Sequence, residues 1–131
     1  MSELAMRLKN IQESGIYRIN CELSDLRKAA AEAGFALFDA DLSAVQHKAE
    51  FLAVMAQAIA APNWLGKNWD ALVDALGDLS WKPAQGYVLL LHHSGETFNL
   101  SANDYEIAQE ILEENVNFWK QQGKPFWVFY C

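Results

Sequence analysis

The sequence predicts an α/β domain built on a mainly parallel sheet. Three observations predict it. Strand and helix signals alternate along the chain, with no internal repeat, low-complexity tract or long linker. The run "GYVLLLHH" (86–93) is continuously apolar, the pattern of a strand covered on both faces. The 131 residues, 52% hydrophobic and 21% charged, suit one globular domain with one core, and five Trp and seven Phe supply large bodies to bury.

Taken in order, residues 1–14 read as a frayed helix or an arm, and "GIYRI" (15–19) as a short strand at an edge. Ser24 reads as the N-cap of "DLRKAAAEA", an Ala-rich helix stopped by Gly34. "FALFDADL" (35–42) is a strand whose far end turns acidic. Ser43 to Gln46 has the S-x-x-Q capping-box pattern, and the helix after it runs to about Ala60, with Phe51, Leu52, Met55 and Ile59 on one face and Pro62 beyond its end. "NWLGKN" is a loop, and Asn68 is placed to cap the helix that follows. Ser101 caps a long last helix, with Leu100 and Tyr105 at the hydrophobic-staple positions. Tyr105, Ala108, Leu112, Val116 and Trp119 follow one face of it, while Glu106, Glu110, Glu113, Glu114 and Asn117 point elsewhere. Gly123 and Pro125 end that helix, and "FWVFY" (126–130) is a final strand.

Charge is distributed unevenly. Residues 1–34 carry five bases and five acids; residues 35–131 carry twelve acids and five bases, and so the whole net charge of −7. Between Asn68 and Glu114 there are nine acids and a single base, Lys82. Such a field repels phosphates, disfavours RNA or DNA as a direct ligand and favours a basic partner. Plain solubility charge is the simpler alternative. The start "MSELAMRLKN" has no apolar signal-peptide core, and the longest apolar run, "FLAVMAQAIAAP", falls short of the roughly 20 residues of a membrane span. The expectation is a cytosolic protein that uses no membrane. Cys21 and Cys131 lack metal-like spacing and are expected as thiols. No metal or other cofactor is expected.

The helix "NWDALVDALGDL" (68–79) poses the functional question, because Asp70, Asp74 and Asp78 recur every four residues with no base between them. Residues so spaced lie about 6 Å apart along one helical face. Asp70 falls in the first turn, where the helix dipole favours an anion. Asp74 has no such return, and a like-charge pair at this spacing costs about 0.2–0.5 kcal/mol. Asp78 follows Gly77, a helix terminator by pattern, and is expected just past the helix. The acids are either a row of carboxylates that imitates phosphates or an ordinary solvated face. Trp69, Leu72, Val73 and Leu76 contain the buried stripe, with Trp81 close by. Trp64 and Leu65 sit in a Gly-containing loop, where an apolar anchor beside acids has the composition of a protein–protein hot spot, a core role for Trp64 being the alternative.

The run "PNWLGKNWDALVDALGDL" (62–79) resembles the signature of the barstar family, small intracellular inhibitors of barnase-type ribonucleases. Pro62, Trp64, Gly66, Asn68, Asp70, Ala71, Leu72, Asp74 and Leu76 carry the resemblance, which covers about residues 35–130. It implies a barstar-like α/β fold: a small parallel sheet of three core strands, with a short extra strand at its edge, packed with helices. Residues 1–34 then form an N-terminal extension packed on the domain, and residues 35–131 the barstar-like domain. The resemblance further implies a non-enzymatic inhibitor of toxin–antitoxin type, bound one to one to a basic, extracellular-type ribonuclease. Its signature loop and helix would plug the nuclease's active site, with Asp70 and the more central Asp74 taking phosphate positions. The candidate partner-binding residues are Trp64, Leu65, Gly66, Asn68, Asp70, Val73, Asp74 and Asp78. Electrostatic steering and strong charge-pair coupling are established for barnase with barstar itself, and that physics is carried over with the resemblance. This chain departs from the family's best-known member in having Val73 where that member has Trp. Phe118 stands where it has an acid near the end of the last helix, and "HSGETFNL" (93–100) is shorter than the corresponding helix.

Two other classes of function fit parts of the sequence. An enzyme could use His92 and His93 at the end of a strand, where α/β folds place ligands, or hold Mg²⁺ on Asp39 and Asp41. Adjacent strand residues point to opposite faces, so the two His are poorly placed to share a metal. No phosphate loop, nucleophile elbow or zinc spacing accompanies these residues, and Cys21 has no base beside it. The remaining alternative is an acidic interaction module for some other basic protein.

Overall fold

The computed structural model describes residues 1–20, 23–62 and 67–131. In chain order the elements are α1 (Glu3–Leu8), a 3-10 turn (Ile11–Glu13), β1 (Ile16–Arg18), α2 (Leu23–Glu32), β2 (Ala36–Asp41), α3 (Lys48–Ala58), α4 (Trp69–Asp78), β3 (Tyr87–His92), α5 (Ala102–Gln121) and β4 (Phe126–Tyr130). The four strands form one all-parallel sheet in the order β1-β4-β3-β2. β2, β3 and β4 are the expected core strands, with Ala36 opposite Tyr87 and Tyr87 opposite Phe126, and β1 is the expected short edge strand.

Strand alternation divides the molecule into two layers of helix around the sheet. Phe38 and Ala40 of β2, Leu89 and Leu91 of β3, and Phe126 and Val128 of β4 face α3, α4 and α5 in the larger core. Val88, Leu90, Trp127 and Phe129 face α1 and α2 in the smaller one. β3 and β4 are therefore buried along both faces, which accounts for their unbroken apolar runs. Residues 1–34 supply the edge strand and both helices of the second layer.

Several local expectations are corrected. The N-terminal helix is not frayed: Ser2 caps it through the Ala5 amide at 3.1 Å, Ala5 and Leu8 are buried, and the Trp127 indole donates to the Leu8 carbonyl at 2.9 Å. Ser24 lies inside α2 rather than capping it, because Leu23 already packs against the second core from within the helix. Cys21 lies outside the described residues. Ser43 to Gln46 does not open α3. The Ser43 amide donates to Asp41 Oδ1 at 3.0 Å, and the chain turns there to bury Leu42 and Val45, which delays the helix to Lys48. Glu50, three residues past the N-cap His47, reaches back instead: its Oε1 accepts from the Gln46 amide at 2.7 Å, one residue before the N-cap amide that a capping box would engage.

α3 and α4 end differently from their sequence signals. α3 stops at Ala58, and Ala60 takes a φ of 55° before Pro62. α4 runs through Gly77 and closes at Leu79, which adopts a left-handed φ of 51°. That conformation costs a non-glycine residue about 1–2 kcal/mol. Complete burial of the leucine side chain returns about 1.5–3 kcal/mol, so the core and not the glycine decides where the helix ends. Gly123, with φ 78°, does terminate α5 as its pattern predicts.

Candidate functional site

α4 is built as its sequence implies. Asn68 Oδ1 accepts from the Ala71 amide at 2.8 Å and closes the N-terminus. Leu72, Ala75 and Leu76 face the core, while Trp69 is half-buried against Phe51 with its ring 5.8 Å below the Lys48 ammonium. The opposite face presents Asp70, Asp74 and Asp78 to solvent. Asp78 accepts from the Ser80 hydroxyl at 3.1 Å. Among the described residues, the side-chain carboxylates of Asp70 and Asp74 have neither a hydrogen bond nor a salt bridge. The first-turn position accounts for Asp70. Asp74 stands mid-helix and exposed, without a counter-charge among the described residues.

The remaining predicted site residues divide. Trp64, Leu65 and Gly66 lie outside the described residues. The Asn68 side chain is engaged in the cap. Asp78 ends the helix rather than following it, since α4 continues through Gly77. Val73 is not part of the buried stripe; it lies on the exposed side, 43% accessible. Trp81 serves the scaffold, its indole donating to the Ile59 carbonyl at 2.8 Å. Val73 and Asp74 instead border a shallow groove between α4 and α5, completed by Gly77, Ile111, Glu114, Asn115 and Phe118. Sequence reasoning did not single out Asn115. Its signal was a polar residue inside the apolar spacing Ile111, Leu112, Val116, Trp119.

The acids at the carboxyl edge of the sheet are already partnered. Asp39 accepts from Arg27 at 2.7 and 2.9 Å, and His92 Nε2 lies 2.6 Å from it. The guanidinium bond, opposed by partial desolvation and helped by His92, holds the Asp39 carboxyl below its ordinary range. Asp41 is lowered to about 2, mainly by the Ser43 amide and then by His93, whose Nδ1 is 2.9 Å away. Each His thus serves a different carboxylate. Among the described residues no group of three or more His, Cys, Asp or Glu is placed to hold a metal ion. None of the described helices is long and apolar enough to cross a membrane.

Comparison with known proteins bears on α4 and the sheet together. No curated protein matches the chain. A family model does: Barstar (barnase inhibitor) matches residues 35–131, from the start of β2 through β4. That span contains α4 with its acids and all three core strands, and on this match the chain belongs to the barstar family.

Proposed function

We propose that this protein inhibits a barnase-type ribonuclease, binding it one to one in the cytosol and performing no chemistry of its own. The observation that carries the reading is Asp74, an exposed carboxylate in the middle of α4 with no counter-charge among the described residues. Family membership supports the partner class. The excess of acids over residues 68–114 supports rapid encounter with a basic enzyme. Asp70 and Asp74 would then meet the cationic groups that ordinarily hold RNA phosphate. The signature-loop residues Trp64, Leu65 and Gly66 would seal the contact beside them. Asn68 contributes by fixing the start of the helix, and Val73 and Asp78 flank the central acid.

The test is RNA hydrolysis by a barnase-type ribonuclease from the same organism, titrated with this protein and with its Asp74→Ala variant. Inhibition that saturates near one equivalent and is lost in the variant establishes both function and site. A folded wild-type protein that leaves hydrolysis untouched would refute the reading and turn the search to another basic protein.

A further inference from the structure

A further cavity lies across the sheet from α4, on the face that residues 1–34 cover. α1 and α2 pack over β3 and β4 and leave a space of about 570 Å³ toward the edge strand β1. That volume falls within the roughly 300–1,000 Å³ of small-molecule sites. Its floor is aromatic: the rings of Trp127 and Phe129 on β4 stack 5.8 Å apart, inclined by 14°. The Tyr17 ring of β1 stands beside both, 5.7 Å from Trp127 and 6.3 Å from Phe129. Leu4 and Leu8 of α1 and Leu26 of α2 complete the apolar wall. Tyr17 is 45% exposed, although the two rings it touches are buried. A large ring left half in water beside a cavity of ligand size is apolar surface that the free fold does not cover.

The charged groups at its mouth are unequally engaged. Arg7 and Glu13 lie 3.6 Å apart and offset each other. Arg18 also lines the cavity, but its guanidinium is turned to the other face of the sheet, where it donates to the Gly95 carbonyl at 3.2 Å and lies over the Tyr130 ring. Asp25, in the first turn of α2, is different. Among the described residues its carboxylate has neither a hydrogen bond nor a salt bridge, not even with Lys28 one turn on. We infer that the cavity between α1, α2 and β1 binds a small organic cation, an ammonium group carried on a flat aromatic body. The body replaces water over the Tyr17, Trp127 and Phe129 rings, and the Asp25 carboxylate holds the ammonium at the mouth. Ring faces carry negative potential and attract a cation within about 6 Å, so the wall and the carboxylate select the same sign of charge. An anionic ligand would have to displace Glu13 from Arg7 and would meet Asp25 beside it. Residues 1–34 build most of this cavity from outside the matched family span, with its floor drawn from β4. α4 packs in the larger core on the other face, so this ligand neither needs the nuclease nor competes with it.

The probe is tryptamine, added at neutral pH to the full chain and followed by NMR, with tryptophol and indole-3-propionate as its neutral and anionic counterparts. The reporter is the Trp127 indole N–H, which donates to the Leu8 carbonyl at 2.9 Å where both residues line the cavity. Tryptamine is expected to shift this resonance saturably, with tryptophol binding about threefold or more weakly and indole-3-propionate more weakly still. Asp25→Asn, at an exposed position that leaves the backbone spectrum intact, should weaken tryptamine by a similar factor and leave tryptophol unaffected. No saturable shift, equal affinity for all three compounds, or tryptamine binding untouched by Asp25→Asn overturns the proposal. Tighter binding of indole-3-propionate than of tryptamine overturns it as well and would make Arg7 the anchor of an anionic ligand. Saturable shifts confined to α4, with the Trp127 resonance unmoved, would place the ligand on the other face and overturn it too.

Discussion

The indole of Trp119 donates its Nε1–H to the carbonyl of Leu76 over 2.8 Å within the core. Leu76 is in the last turn of α4, whose carbonyls have no intrahelical partner. The bond therefore satisfies a helix end and at the same time fixes α4 against α5. Because Leu76 faces inward, Asp74, two residues and roughly 200° around the helix, is turned to solvent. Two further tryptophans repeat the device: Trp81 donates to Ile59 at the end of α3, and Trp127 to Leu8 at the end of α1. Each gives a large apolar body to the packing and a polar atom to a helix terminus.

Replacing that donor tests the link between scaffold and site. Trp119→Phe leaves the Leu76 carbonyl without its donor and opens a small cavity, and it should lower stability by about 2 kcal/mol or more in urea denaturation. Trp81→Phe, at a half-buried position, should cost less. An unchanged denaturation midpoint for Trp119→Phe would mean that the bond does not hold α4 in place.

Asp70 and Asp74 of α4 should separate by experiment. Asp74→Ala should weaken partner binding by about 2–5 kcal/mol, since nuclease cations would be left buried and unpaired. It should leave stability unchanged or slightly raised, by about 0.2–0.5 kcal/mol, as like-charge repulsion is relieved. Asp70→Ala should instead lower stability by about 0.3–1 kcal/mol, because it removes an anion from the helix N-terminus. Calorimetric titration with the nuclease, beside thermal unfolding of the free protein, reads both effects.

Association should slow as salt rises. The acids over residues 68–114 act at a distance and are screened once the Debye length contracts to about 8 Å near 0.15 M. Stopped-flow rates between low and physiological ionic strength should fall steeply, with dissociation changing much less. A rate of association indifferent to salt would rule out steering by this face.

The Arg27–Asp39 pair ties α2 to the sheet and has a pH signature. The Asp39 carboxyl titrates below its unfolded value, chiefly because Arg27 bonds to it. Its contribution is therefore complete above the unfolded pKa of about 3.9 and is lost as pH falls through the lower folded value. Asp39→Asn should cost at most about 1 kcal/mol at pH 7, given the exposure of the pair. The gap between variant and wild type should close as acid is added. A gap that stays constant down to pH 2 would assign the loss to packing instead.

Asn115→Leu should raise stability by about 1 kcal/mol, because it replaces an unpaired buried amide with an apolar group of similar size. Equilibrium denaturation decides it. A clear loss of stability would mean that the amide contributes to the fold despite lacking a partner for Nδ2 among the described residues.

Much of this molecule follows from sequence patterns that act over short range. The unbroken apolar run of β3 requires a strand covered on both sides, and the alternation of β2 places Asp39 and Asp41 on one face of that strand. Asn68 and Ser101 cap their helices because an Asn or Ser side chain reaches an amide three residues on. The Asp70–Asp74–Asp78 face is set by helical periodicity alone. Tertiary packing decided what depends on neighbours far along the chain. The burial of Leu79 carries α4 past Gly77, and the turn that buries Leu42 and Val45 overrides the S-x-x-Q signal of Ser43. The same holds for the groove. Val73, Asp74 and Gly77 meet Asn115 and Phe118, some forty residues away, only because the Trp119–Leu76 bond and the shared core bring α5 against α4. A helical period states which residues share a face; which second helix that face meets is decided by the packing of the whole core.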